Sequence, residues 1–145
     1  NVAAMLIAFV SIVAMFNYLL SFAGTSLESI LGTIFKPLAW SMGVPWNEAE
    51  SMGLLMGKKI VFTELIAYGD LKSLIGTGAI SDRTAIIASY ALCGFANFAS
   101  IGIQLGGIGG IAPSRKKDIT ALVTKAMIGG ALASWLTATI AGILI

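Results

Sequence analysis

The chain of 145 residues has no histidine, a single cysteine, and charges on only 11% of its residues. The first absence excludes imidazole acid–base catalysis, Ser-His nucleophiles and His-ligated metals within this chain. The second excludes an internal disulfide or a thiolate metal cage, and Cys93 reads as a small packing residue. Soluble domains carry about 25% charged residues, so a chain that is 57% hydrophobic with mean hydropathy +0.93 has the composition of a protein whose solvent is a bilayer. Nine basic against seven acidic residues leave a net +2, too little and too dispersed for a nucleic-acid face. Asn1 opens directly into an apolar run without a basic leader, so the sequence reads as an excised portion of a longer protein.

A charge at mid-bilayer costs roughly 2.5 to 3.5 kcal/mol, so long stretches without charge mark crossings. Residues 1–27, 84–114 and 126–145 are such stretches, and they predict transmembrane helices over 1–25, 84–112 and 118–145. Between the first two, residues 28–83 carry charges too closely spaced for a crossing. Over 28–46 the Lys36-Pro37 and Pro45 breakers and the Trp40 and Trp46 rings predict an interfacial helix. Residues 47–78 predict a re-entrant hairpin of two half-length arms. Asn47 caps the first arm, with Glu48 and Glu50 in its first turn, and the arm runs to Phe62. Thr63 caps the second, from Glu64 to about Leu74, which Gly76-Thr77-Gly78 ends. The fold class expected is therefore an all-α membrane protein. It has three transmembrane helices, one of them discontinuous, an interfacial helix and a re-entrant hairpin. Arg115, Lys116, Lys117 and Lys125 crowd the short second connection, which places that loop, with Asn1, on the cytoplasmic side and residues 28–83 and Ile145 outside.

Few residues can carry chemistry. Glu64 lies in an apolar run at the hairpin connector, where an intramembrane carboxylate faces a cavity, a partner or a substrate; the alternative is a capping carboxylate near the headgroups. Asn97, Ser100 and Gln104 recur at i, i+3 and i+7, a polar stripe that suits a neutral polar solute and equally suits helix–helix packing. Gly94, Gly102, Gly106-Gly107 and Gly109-Gly110 weaken the same helix and favour a break in it. The Gly-Gly-Ile-Gly-Gly run lacks the spacing and the preceding strand of a phosphate loop. Lys58 and Lys59 either snorkel or neutralise a nearby carboxylate. Trp135 and Tyr18 read as packing or interface aromatics. Arg115 to Asp118 are an orientation signal, with an anionic-lipid contact as a second idea. A lone carboxylate without a nucleophile–base pair does not make an enzyme.

These residues resemble the concentrative nucleoside transporters, and specifically their C-terminal membrane domain. The family pattern Gly-x-Lys-x-x-x-Asn-Glu-Phe-x-Ala-Tyr is matched by Gly57-Lys58-Lys59-Ile60-Val61-Phe62-Thr63-Glu64-Leu65-Ile66-Ala67-Tyr68. A second motif runs from Ala91 to Gly102, followed by Leu105 to Gly107 and Ala112 to Arg115, and Gly43-Val44-Pro45-Trp46 matches as well. Thr63 stands where the family has Asn, and Leu65 where it has Phe; Thr63 keeps a cap and loses an amide. The resemblance implies that the hairpin and the broken helix hold the ribose of a uridine-like nucleoside through Glu64, Asn97 and Ser100, with Thr63 and Gln104 as lesser candidates. It implies cation-coupled symport by alternating access, with no cofactor or metal in this chain. The coupling Na+ or H+ is expected mainly through an N-terminal half that is absent here. It further implies a homotrimer at full length, lodged as a multi-pass protein in the bacterial inner membrane. A gate or channel-like module that binds nucleosides without coupled transport is the alternative, and a bundle that only packs is the bland one.

Overall fold

A computed structural model describes residues 2–145, so the expectation for Asn1 lies outside the described residues. The helices are α1 (Val2–Ser21), α2 (Leu27–Ser41), α3 (Ala49–Val61), α4 (Glu64–Gly76), α5 (Asp82–Leu92), α6 (Phe98–Ile111) and α7 (Lys116–Leu144), with a 3-10 turn at Pro113–Arg115 before α7. No strand occurs among the described residues; the chain is all-helical. Only the segment Pro113–Leu144 is, among them, a helix both long and apolar enough to cross a membrane by itself. At about 1.5 Å per residue, the 20 residues of α1 reach about 30 Å, while α5 and α6, of 11 and 14 residues, are each about half a span.

Two local readings are corrected, and one is narrowed. Of the glycines that favour a break, only Gly94 lies at one: Gly102, Gly106, Gly107, Gly109 and Gly110 all lie inside regular α6. The break falls at residues 93–97, where Cys93 is extended (φ −66°, ψ 116°) and Gly94 takes φ 134°, a left-handed value that favours glycine. Glycines inside an apolar helix keep their backbone bonds because no water competes for them. Lys36-Pro37 does not break α2, which runs on to Ser41. Pro37 and Thr33, whose carbonyl the proline leaves free, are both exposed, so no buried acceptor is orphaned. Asn47 caps nothing: Glu48 holds the cap position of α3 without a side-chain cap bond. Its carboxylate instead accepts from the Ser81 amide (3.1 Å) and hydroxyl (2.9 Å), tying the start of α3 to the start of α5.

Helices α2 and α3 pack closely against each other. A Cβ on Gly53 would collide with the Gly32 carbonyl, and one on Gly57 would meet the Glu28 carbonyl at 2.5 Å. Residue 53 thus faces 32 and residue 57 faces 28, so the helices run antiparallel, close enough that only glycine fits between them. The Lys36–Glu50 ion pair (3.1 Å) continues the same register, and Lys36 also lies 5.1 Å over the Trp46 ring. Met42, Met52, Leu55, Met56, Ile87, Leu92 and Ala138 form the core where α2, α3, α5 and α7 meet. Arg83 ties three segments together through the carbonyls of Gly43 (3.0 Å), Gly142 (2.6 Å) and Ile145. Trp135 packs on Phe35, with ring centroids 5.2 Å apart, as an interior aromatic. Large apolar side chains on α1 and α7, among them Phe16, Tyr18, Leu136 and Ile143, stay exposed; faces of this extent are covered by lipid or by further protein.

Candidate functional site

Two helix starts converge on one carboxylate. α3 ends at Val61, and only Phe62 and Thr63 separate it from Glu64, the first residue of α4. Thr63 is extended (φ −148°, ψ 160°) and occupies the cap position, yet its hydroxyl makes no cap bond. The first amides of α4 are therefore left without the side-chain acceptor that a capped start would supply, and the positive end of the helix dipole lies at Glu64.

The second start is α6. Asn97 is extended (φ −145°, ψ 168°) and caps it in a reciprocal box with Ser100. The Ser100 amide donates to Asn97 Oδ1 (2.8 Å) and the Asn97 amide to Ser100 Oγ (3.4 Å). Ser100 Oγ also donates to the Asn97 carbonyl at 2.6 Å. What remains of Asn97 is its Nδ2, and this donates to Glu64 Oε2 at 3.1 Å. Asn97 is 0% exposed and Ser100 1%, whereas Glu64 is half-buried.

Each candidate from the sequence thus has a place. Glu64 and Asn97 are in direct contact. Ser100 stands behind Asn97, its hydroxyl committed to the backbone, so it orients the amide. Thr63 adjoins Glu64 at the hairpin tip. Gln104 is not brought to the cluster: it lies seven residues along α6 from the cap, about 10 Å up the helix axis. The stripe read from i, i+3, i+7 spacing is therefore not one helical face, because Asn97 precedes the helix and does not belong to its spiral.

Several residues have places that the sequence did not give them. Cys93 is exposed in the break instead of packed; its carbonyl accepts from the Ser134 hydroxyl of α7 at 2.6 Å. Ser134 is also what leaves no room at Gly94, where a Cβ would come within 2.5 Å of its Oγ. Phe95, 59% exposed, stands in the break two residues before Asn97; an aromatic between a left-handed glycine and a helix cap was the signal available for it. Lys58 pairs with Asp70 across the two hairpin arms. Lys59 is fully buried and donates to the Ala91 carbonyl at 3.1 Å. A cavity of about 370 Å³ between the arms is lined by Ser51, Lys58, Asp70, Ser73 and Thr77, and by none of Glu64, Asn97 and Ser100. Chemically, the cluster offers an anion steered by a neutral donor and flanked by two helix N-termini. Such an arrangement is able to accept a hydrogen bond from a hydroxyl group and has no nucleophile to attack one.

The family described as Na+ dependent nucleoside transporter C-terminus matches residues 1–142. An uncharacterized transporter of Bacillus subtilis, YutK, is 50% identical over 152 residues, covering 100% of this chain and 37% of its own length. The nucleoside permease NupC of Helicobacter pylori is 40% identical over 155 residues, again covering 100% of this chain and 37% of its own. The solved structure of CNTnw in an inward-facing substrate-bound state superposes with a TM-score of 0.81 at 44% identity, over 97% of this chain and 35% of that one. The chain thus spans little more than a third of the length of each of these three relatives, and they are transporters, not enzymes.

Proposed function

Because the chain belongs to the C-terminal part of the concentrative nucleoside transporter family, we propose that it supplies the ribose-binding half of a nucleoside site in a cation-coupled symporter. One observation carries the reading: the Glu64 carboxylate, at the tip of one helical hairpin, is held by the Asn97 amide at the start of a broken helix. A ribose hydroxyl donates to the carboxylate, whose charge strengthens the bond, while Asn97 fixes the acceptor's direction and Ser100 fixes Asn97. Phe95, exposed beside them, offers an apolar wall. Thr63 contributes through the free backbone amides behind it, and Gln104 lies too far along α6 to share a ribose with Glu64.

In this reading residues 47–78 are the re-entrant hairpin, with α3 and α4 as its arms. α5 and α6 form the discontinuous crossing, and α1 and α7 are the intact ones. Trp40 and Trp46, both more than half exposed and stacked edge to face at 6.2 Å, mark the headgroup end of the α2 region. Helix starts that point at the substrate from a hairpin and from a broken helix suit alternating access, in which both move together around the bound nucleoside. The partners are a uridine-like nucleoside, the lipid of a bacterial inner membrane, the N-terminal half of the same transporter, and two further copies in a homotrimer. The coupling Na+ or H+ binds mainly through that N-terminal half.

The test is uptake of labelled uridine by the full-length protein in proteoliposomes, with sodium and proton gradients imposed separately. Accumulation that collapses when one gradient is dissipated supports symport. Flux that ignores both gradients would instead identify a channel-like module. Glu64→Gln should cut uptake, since a hydrogen bond to a charged acceptor contributes about 1.5 to 3 kcal/mol.

A further inference from the structure

Lys59 is fully buried, with 0% of its surface exposed. An ammonium taken out of water needs acceptors for its protons and a counter-charge. Its Nζ donates to the Ala91 carbonyl at 3.1 Å, in the last turn of α5, the negative end of that helix dipole. It also reaches the break, since a Cβ on Gly94 would lie 3.8 Å from Nζ. One of the three ammonium protons thus has an acceptor, and the counter-charge is left open.

The seven carboxylates can be taken in turn. Glu50, Asp70 and Asp118 are paired with Lys36, Lys58 and Arg115. Glu28 is bound to Asn17 and Glu48 to Ser81, and Asp82 opens α5 at the end away from Ala91. Of the three carboxylates held only by neutral partners, Glu28, Glu48 and Glu64, Glu64 is the one whose partner, Asn97, caps α6 at the break that Lys59 also borders. The two form no direct ion pair; they face the same break, Lys59 at its α5 side and Glu64 at its α6 side through Asn97.

We propose that Lys59 is a positioning residue of the Glu64 site: a fixed internal cation that offsets the carboxylate charge while pinning hairpin arm α3 to the carboxyl end of α5. This deepens the reading above and rests on it. One consequence follows: the hairpin and the broken helix move as one piece.

The experiment is a uridine titration of the purified full-length transporter carrying Lys59→Met, which keeps the apolar stem and removes the charge, in the wild-type and Glu64→Gln backgrounds. We expect Lys59→Met to weaken affinity at least about 10-fold in the wild-type background and less than about threefold in the Glu64→Gln background, a coupling that independent sites do not show. Equal losses in both backgrounds, or no loss in the first, overturn the proposal, because a role in packing alone does not depend on the charge at position 64. If Lys59→Met does not fold, the doubly substituted protein decides: recovery of folding supports charge compensation, and failure of both assigns Lys59 to packing and overturns it. Wild-type affinity in Glu64→Gln alone sinks the site reading together with this inference. Weakened Glu64→Gln with an unchanged or additive effect of Lys59→Met sinks only this inference.

Discussion

Asn97 performs two tasks with the two ends of one amide, and substitution separates them. Its Oδ1 caps α6 by accepting the Ser100 amide at 2.8 Å, and its Nδ2 holds Glu64 at 3.1 Å. Asn97→Ser keeps a capping oxygen and loses the donor to Glu64; Asn97→Ala loses both. A lost cap costs about 1 kcal/mol, and the site is buried, so the orphaned Ser100 amide pushes the cost toward about 2 kcal/mol. The bond to the carboxylate is worth about 1.5 to 3 kcal/mol, or about 10- to 150-fold in affinity if the sugar depends on the direction of Glu64. The expected pattern is that both variants bind uridine at least about 10-fold more weakly, while Asn97→Ala unfolds about 1 to 2 kcal/mol more readily than Asn97→Ser. Thermal unfolding and nucleoside titration of the purified full-length protein give the two readings. Wild-type affinity in Asn97→Ser refutes the role of the amide at the site, and equal stability of the two variants refutes the cap.

Two further predictions concern the frame around the site. Gly53→Ala places a methyl against the Gly32 carbonyl, and because backbone cannot rotate away, α2 and α3 must part, at about 1 to 3 kcal/mol or more. Gly69→Ala, with nothing within 4 Å of the added Cβ, should instead stabilise α4 by about 0.5 to 1 kcal/mol; melting temperatures that shift alike would contradict the close approach. Glu48, at the outer rim of the hairpin, is subject to burial that raises its pKa. Donation from the Thr84 hydroxyl and the Ser81 amide and hydroxyl outweighs this and holds it below the ordinary carboxylate range. A depressed folded pKa adds stability above the unfolded value, about 4.3, and that stability is lost as pH falls through the folded value. Acid unfolding should therefore steepen below about pH 4.3 in the wild type and less so in Glu48→Gln, and identical acid profiles would refute the contribution.

Much of this was legible in one dimension, for reasons that differ from residue to residue. Glu64 stood out because a carboxylate in an apolar run is costly wherever it goes. Asn97 and Ser100 stood out because they are polar within a long uncharged stretch. Their relation did not: reading Asn97 as part of a helical spiral produced a stripe with Gln104, whereas Asn97 begins the helix and so faces backward, toward Glu64. Counting glycines could not locate the break either, since a glycine breaks a helix only where the backbone turns left-handed, as at Gly94. The α2–α3 contact was hidden for the opposite reason. Gly32, Gly53 and Gly57 are spaced like any membrane-helix glycines, and nothing local says that Gly53 and Gly57 face backbone carbonyls and Gly32 the backbone of Leu54. Lys59 and Lys58 are adjacent and alike in sequence, and only the third dimension sends one to Asp70 and the other into the core.

The most direct measurement is how well the full-length transporter tells uridine from its 2′,3′-dideoxy analogue, in the wild type and in Glu64→Gln. If the carboxylate accepts a ribose hydroxyl, the wild type prefers uridine by about 10-fold or more and the variant loses most of that preference. A preference that survives unchanged in Glu64→Gln would show that the sugar is held elsewhere.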